Sequence, residues 1–190
     1  MYYAMMRSGK PGRWIKSWPY IEDVTWNSGA LITQAIPDPF PVSLKPINPD
    51  AEDHAPYLPA FLKGNGPLFR DDLVEAMRAF GVDNLQTFNA ALTDPEDGQT
   101  HTNYKAVNII GVIAAADMAQ SEATVHAGGP IIDVDFDSLV IDESKTRGFS
   151  IFRLAESTNA LLVSERLRDY LVSRNFGDDI AFYDPKEVAL

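Results

Sequence analysis

A chain of 190 residues with 45% apolar and 11% aromatic side chains can bury a substantial core, and a disordered tail does not have that composition. Sixteen basic residues against 27 acidic ones give a formal net charge of −11, which argues against a surface built to hold DNA or RNA phosphates. With no cysteine, a disulfide framework, a thiol nucleophile and a Cys-based zinc site are all excluded. The apolar start of the chain stops after residue 6, short of the h-region of a signal peptide. The apolar stretch from Ile109 to Ala116 is far below the roughly 20 residues that span a bilayer. A soluble, cytoplasmic protein is the expectation.

In chain order, residues 1–36 offer short strand candidates at 2–6, 21–26 and 30–36, where β-branched and aromatic residues recur between Gly, Pro and Asn. Residues 37–67 hold eight of the thirteen prolines and read as a surface-hugging connection with few donors for a ladder. Its apolar residues Phe40, Tyr57, Leu58 and Phe61 should pack on the core. Asp71 to Phe80 sets Leu73, Val74, Met77 and Phe80 at helical spacing, with Gly81 as the C-terminal cap. Residues 84–92 and 104–116 form a hairpin turning at Asp94-Pro95-Glu96-Asp97-Gly98. Gly128-Gly129-Pro130 opens extended segments at 131–134, 138–141 and 149–154. Apolar residues 160–163 then lead to Ser164 as an N-cap, a helix carrying Leu167, Tyr170 and Leu171, stops at Asn175 and Gly177, and a strand at 180–183.

The expected fold is therefore α+β: one domain over 1–190 with a mainly antiparallel sheet and two or three short helices packed on it. Residues 1–36 supply N-terminal strands, 37–67 the connection and 68–190 the main body. Leu68 to Leu73 can be laid over Leu162 to Leu167, an offset of 94, and both lead into a helix, a stop and a strand. Ordinary cap and period rules account for that unit arising twice.

Among groups that could carry chemistry, Asp133, Asp135 and Asp137 alternate, so on a strand their carboxylates share one face. Such a face could hold Mg²⁺ or Ca²⁺ in a metal-dependent hydrolase, although the EF-hand glycine and glutamate are missing. A solvated edge carries the same residues for solubility. His54, His101 and His126 have no metal-site spacing, and Ser157 lacks the glycines of a nucleophile elbow. Lys63-Gly64-Asn65-Gly66 reads as a flexible loop without the ending of a phosphate cradle. Arg153 is expected half-buried against a carboxylate such as Glu156. Trp14, Trp18 and Trp26 lie beside the four basic residues of 1–20 and could make a homo-oligomer interface, though tryptophans more often anchor a core.

Asp83-Asn84-Leu85-Gln86, Tyr104-Lys105-Ala106-Val107-Asn108, Asp135 to Ile141, Phe152 to Ser157 and Val163 to Leu167, in that order, resemble the immunity-eleven family of bacterial polymorphic toxin systems. The resemblance covers roughly residues 60–190. It implies a protein without catalytic residues, metal or cofactor that protects the producing cell by binding a cognate toxin encoded nearby, in some cases a nuclease. Residues 21–190 hold 12 basic and 27 acidic side chains, a net of −15, which suits a cationic partner and disfavours nucleic acid or an anionic membrane. The expected partner-binding residues are Asp133, Asp135, Asp137, Asp142 and Glu143, with Asp71, Asp72 and Glu75 as a second patch. The sequence leaves the oligomeric state open.

Overall fold

The computed structural model describes residues 1–126 and 133–190. Among them are thirteen strands in three sheets, two α-helices and two short 3-10 turns. The protein is mainly β, which corrects the α+β expectation. Many of its strands are only two to four residues long and close with side-chain and loop contacts, so their periodicity is too brief to read. Glycine-rich residues 128–130 and the start of the 131–134 segment lie outside the described residues.

A five-stranded sheet is ordered β13-β1-β12-β11-β8, built from β1 (Tyr2–Arg7), β8 (Val112–Ile113), β11 (Ile151–Leu154), β12 (Leu161–Ser164) and β13 (Ile180–Tyr183). A six-stranded sheet is ordered β2-β3-β6-β7-β5-β4, from β2 (Ile15–Ser17), β3 (Phe40–Leu44), β4 (Phe61–Lys63), β5 (Pro67–Arg70), β6 (Leu85–Thr93) and β7 (Thr100–Ile109). A separate pair joins β9 (Glu122–Val125) to β10 (Val134–Ser138). Of the pairings, β3 with β6 and β8 with β11 are parallel and the rest antiparallel.

The offset of 94 marks a shared topology. Strands β5 and β6 flank α1 (Asp71–Phe80) in sequence and flank β7 in space, each antiparallel to it. Likewise β12 and β13 bracket α2 (Glu165–Ser173) and lie on either side of β1. Each unit is preceded by a hairpin partner, β4 beside β5 and β11 beside β12. In one unit the central strand follows; in the other it comes from the beginning of the chain.

Both helices form for local reasons that the sequence announces. In α1, Leu73, Val74 and Met77 are buried on one stripe and Gly81 closes the helix at φ 105°, a left-handed conformation that glycine adopts without Cβ strain. In α2, the Ser164 hydroxyl accepts from the Leu167 amide at 3.3 Å and Leu167 and Leu171 are buried. A central cluster joins these helices to both large sheets through Phe69, Val107, Ile151 and Val163, and the Phe80 and Tyr170 rings meet with centroids 5.2 Å apart.

Several expected strands are absent. Residues 21–26 and 30–36 form turns and irregular chain, because Trp26 and Ile32 serve as core anchors while Gln86 supplies the missing ladder. Its side chain accepts from the Ile32 amide at 2.9 Å and donates to the Ile32 carbonyl at 2.7 Å. Conversely, the proline-rich connection contributes β3 and β4, with Pro41 turned to solvent and Phe40 and Phe61 fully buried. The ladder of β6 with β7 runs to Thr93 and Thr100, so the connection is shorter than the expected gap between residues 92 and 104. Past Ile109 the chain leaves that sheet at Gly111, φ 105°, and starts β8 in the other sheet.

The 63–66 loop is a tight hairpin turn with the Gly64 amide bonded to the Gly66 carbonyl at 3.0 Å. Tryptophan packing dictates its glycines: a Cβ on Gly64 would sit 2.6 Å from Trp18 Cε3 and one on Gly66 3.0 Å from Trp26 Cβ. Gly64→Ala is therefore expected to cost about 1–3 kcal/mol through displaced packing, measurable as a lowered urea midpoint. An unchanged midpoint would mean that Trp18 gives way freely.

Candidate functional site

Strand β10 lies across the gap between the expected segments at 131–134 and 138–141, and along it Val134 and Phe136 are buried in a cluster with Phe152 and Leu162 while Asp135 and Asp137 are exposed. Asp133 just before the strand is also exposed, so three carboxylates run along the solvent side. Glu122 on β9 faces Ser138 in the adjoining register and is exposed as well. The inner strand edge is capped by the chain end: the Phe136 amide donates to the Leu190 carbonyl at 2.8 Å and the Leu190 amide donates back at 3.0 Å. A strip of acids is thus held on a strand that the core anchors from behind.

His126 Nε2 lies 2.7 Å from Asp135 Oδ2. This contact raises the histidine pKa above its ordinary value, first through the hydrogen bond to Asp135 and then through the charges of Asp135 and Asp133. The imidazolium forms more readily in the folded protein, so its stabilising contribution is present at low pH and lost as pH rises through the raised midpoint. Below that midpoint it cancels part of the strip's charge. Asp135→Asn should bring the His126 titration, followed by NMR, down toward the ordinary histidine value. A midpoint unmoved by the substitution would break this link.

The remaining expected acids are mostly neutralised within the chain. Asp142 caps a 3-10 turn, accepting from the Ser144 hydroxyl at 2.6 Å and pairing with Lys145 at 3.3 Å. Its pKa is lowered, first by the Ser144 hydroxyl. Glu143 lies 3.1 Å from the Met1 ammonium. In the second patch, Asp72 receives two 2.8 Å bonds from Arg70 and Asp71 lies 3.3 Å from Lys105, while Glu75 is exposed on α1. The two patches are not brought together by any shared ion pair among the described residues. Nor, among those residues, does any group of three or more acidic or histidine side chains converge as a metal site would require.

Other sequence expectations resolve differently. Arg153 is 3% exposed and meets no carboxylate among the described residues; it donates to the Thr158 carbonyl at 2.9 Å and the Trp26 carbonyl at 3.3 Å. Glu156 accepts from the Ala116 amide instead, at 3.3 Å. Trp18 and Trp26 pack edge-on to each other and against Phe40, whereas Trp14 lies half-buried beneath the Arg7 guanidinium. The His126 pairing had no signal in the sequence, because it depends on which residues β9 and β10 set side by side.

The polar residues of the family-like segments act as clamps. Asn84 donates to the carbonyls of Ile110 at 2.9 Å and Ile151 at 3.0 Å, tying β11 to the far end of β7. Asn108 donates to the Ala30 carbonyl at 2.7 Å and to Gln86 at 3.1 Å, and Tyr104 donates to the Pro59 carbonyl at 2.8 Å. Each fixes a loop to the sheet, and none is poised as an acid, base or nucleophile toward a cleft. Among the described residues, no helix is long and apolar enough to cross a membrane.

The geometry thus sets exposed carboxylates on a strand of a mainly-β scaffold that the core anchors from behind. Residues 61–187 match the model of the Immunity protein family (Imm11), and the chain belongs to that family. The match opens at β4 and runs past β13, leaving β1, β2 and β3 outside it. No curated relative matches the chain.

Proposed function

We propose that this protein neutralises a cognate toxin by forming a stoichiometric complex with it, using the strip of Asp133, Asp135 and Asp137, and that it catalyses nothing itself. Membership of the immunity family over residues 61–187 carries the reading. The strip supports it because its carboxylates are exposed and the one partner within the chain, His126 at Asp135, is a surface histidine that gives up its charge as pH rises, so they can meet a cationic surface. A nuclease-type toxin, whose active face must attract phosphate, has the matching charge. The protein acts as a single domain in the cytoplasm of the producing cell, encountering the toxin there before nucleic acid does. Asp142, Glu143, Asp71, Asp72 and Glu75 form the periphery of this reading, since all but Glu75 already have a cation within the chain.

Titrating the toxin encoded beside this gene with the purified protein tests the proposal. Inhibition should be complete at one equivalent, with a complex of matching composition in light scattering. Inactivation of many toxin molecules per chain would overturn it, because that requires turnover.

A further inference from the structure

We propose that a second site, a cationic pocket between the two large sheets, binds a small organic anion with an apolar body, a carboxylate or phosphate monoester carrying a ring or short chain. The cavity encloses about 370 Å³, within the size range of small-molecule sites. Three cations line it from three strands: Arg7 at the end of β1, Lys63 at the end of β4 and Arg153 on β11. Met5, Phe61, Pro67 and Leu161 supply apolar wall, and no Asp or Glu side chain reaches it. The terminal residue Leu190 also borders the cavity, yet no ion pair joins a carboxylate to any of the three cations among the described residues.

That placement runs against the charge of the molecule. With 27 acidic side chains available, a protein that needed only to neutralise these cations would meet little difficulty doing so. Instead, Nε of Arg153 and both Nε and Nη2 of Arg7 are buried without a hydrogen-bond partner among the described residues. Uncompensated buried donors and charges are costly and are found where a ligand completes them. Burial lowers the pKa of Arg153 to about 10 and that of Arg7 below its ordinary value, with the Asp53 charge opposing the shift at Arg7. Lys63, though solvent-accessible, is lowered by burial of its ammonium and by the Arg153 charge. Three cations around apolar walls, with Arg153 acting on Lys63, specify a ligand with negative charge at one end and hydrocarbon at the other.

Trp14 provides the readout, because its ring lies 3.7 Å beneath the Arg7 guanidinium at the pocket wall. Titration of the full chain with octanoate and with phenyl phosphate should give saturable changes in tryptophan fluorescence and raise the melting temperature. Octylamine and octanol should do neither, and inorganic phosphate should bind at least tenfold more weakly than phenyl phosphate. Lys63→Gln and Arg153→Met should each weaken binding of the anions about tenfold or more. If Arg153→Met fails to fold, Lys63→Gln, with its side chain at the surface, still decides the matter. No saturable binding to either anion would overturn the proposal, as would equal binding of octylamine or octanol, or anion affinity unaltered by Lys63→Gln. Inorganic phosphate binding as tightly as phenyl phosphate would overturn the ligand class. Because toxin is absent from these titrations, their outcome is independent of the immunity reading.

Discussion

Reversing Asp135 and Asp137 together to lysine should weaken the complex with the cognate toxin by about 100-fold or more. Close interfacial charge pairs couple by about 1.5–7 kcal/mol, and each factor of ten corresponds to about 1.4 kcal/mol, so two reversals of sign reach this range readily. Much of the loss should appear in the association rate, which electrostatic attraction accelerates. Salt supplies the sharper criterion. Attraction between wild-type protein and toxin is screened as ionic strength rises, whereas the reversed protein is repelled and screening helps it, so the two affinities should converge in high salt. The same substitutions at Asp72 and Asp142 should do less, since Arg70 and Lys145 already engage those carboxylates. Equal effects at all four positions would indicate a general response to net charge and remove β10 from the interface. Both exposed aspartates on β10 can change without touching the core, so the fold should survive, which circular dichroism would verify.

Loss of the ion pair between Arg13 and Asp94 should be the most damaging single change to stability among the polar contacts. Arg13 is 2% exposed, its Nη2 lies 2.5 Å from Asp94 Oδ1 and 3.0 Å from the Lys45 carbonyl, and Asp94 also accepts from the Glu96 amide at 2.9 Å. The pair fastens the N-terminal segment to the turn between β6 and β7. Asp94→Ala strands a buried guanidinium and should cost about 3–5 kcal/mol, read from urea unfolding. The double variant Arg13→Met with Asp94→Leu should recover a large part of that loss, since an apolar pair of similar volume leaves no charge unsatisfied. If Asp94→Ala alone were near neutral, water would have to reach Arg13, and the buried pair would have no role in holding the segment.

The elements read correctly from the chain are those whose information is local. The stripe of α1 and its Gly81 cap, the Ser164 start of α2, and the two long hairpin strands need only a few neighbouring residues to specify them. Alternation of Asp133, Asp135 and Asp137 was equally legible, because a period of two survives whatever the strand pairs with. The predominance of β structure is hidden by strands as short as Val112–Ile113 and by β3, whose one proline, Pro41, faces solvent while the ladder with β6 still forms. Trp26 and Ile32 look like strand residues and are plugs, since a buried apolar side chain needs a cavity to fill and not any particular backbone shape. Sequence proximity points Arg153 to Glu156, and the chain folds the two onto different partners. The cationic pocket has no linear signature at all, because its three charges converge only when β1, β4 and β11 are in place.

Strand β1 sits between β12 and β13, so a strand made well before its two neighbours is seated only when they arrive. Its buried Ala4 and Met5 and two unsatisfied edges stay exposed while everything between is made, and joining ends so far apart is entropically slow. A truncated translation product would therefore carry two sticky strand edges and an open hydrophobic face, making it a substrate for chaperones and proteases. Any stretch joined ahead of Tyr2 would have to leave the groove between β12 and β13 free.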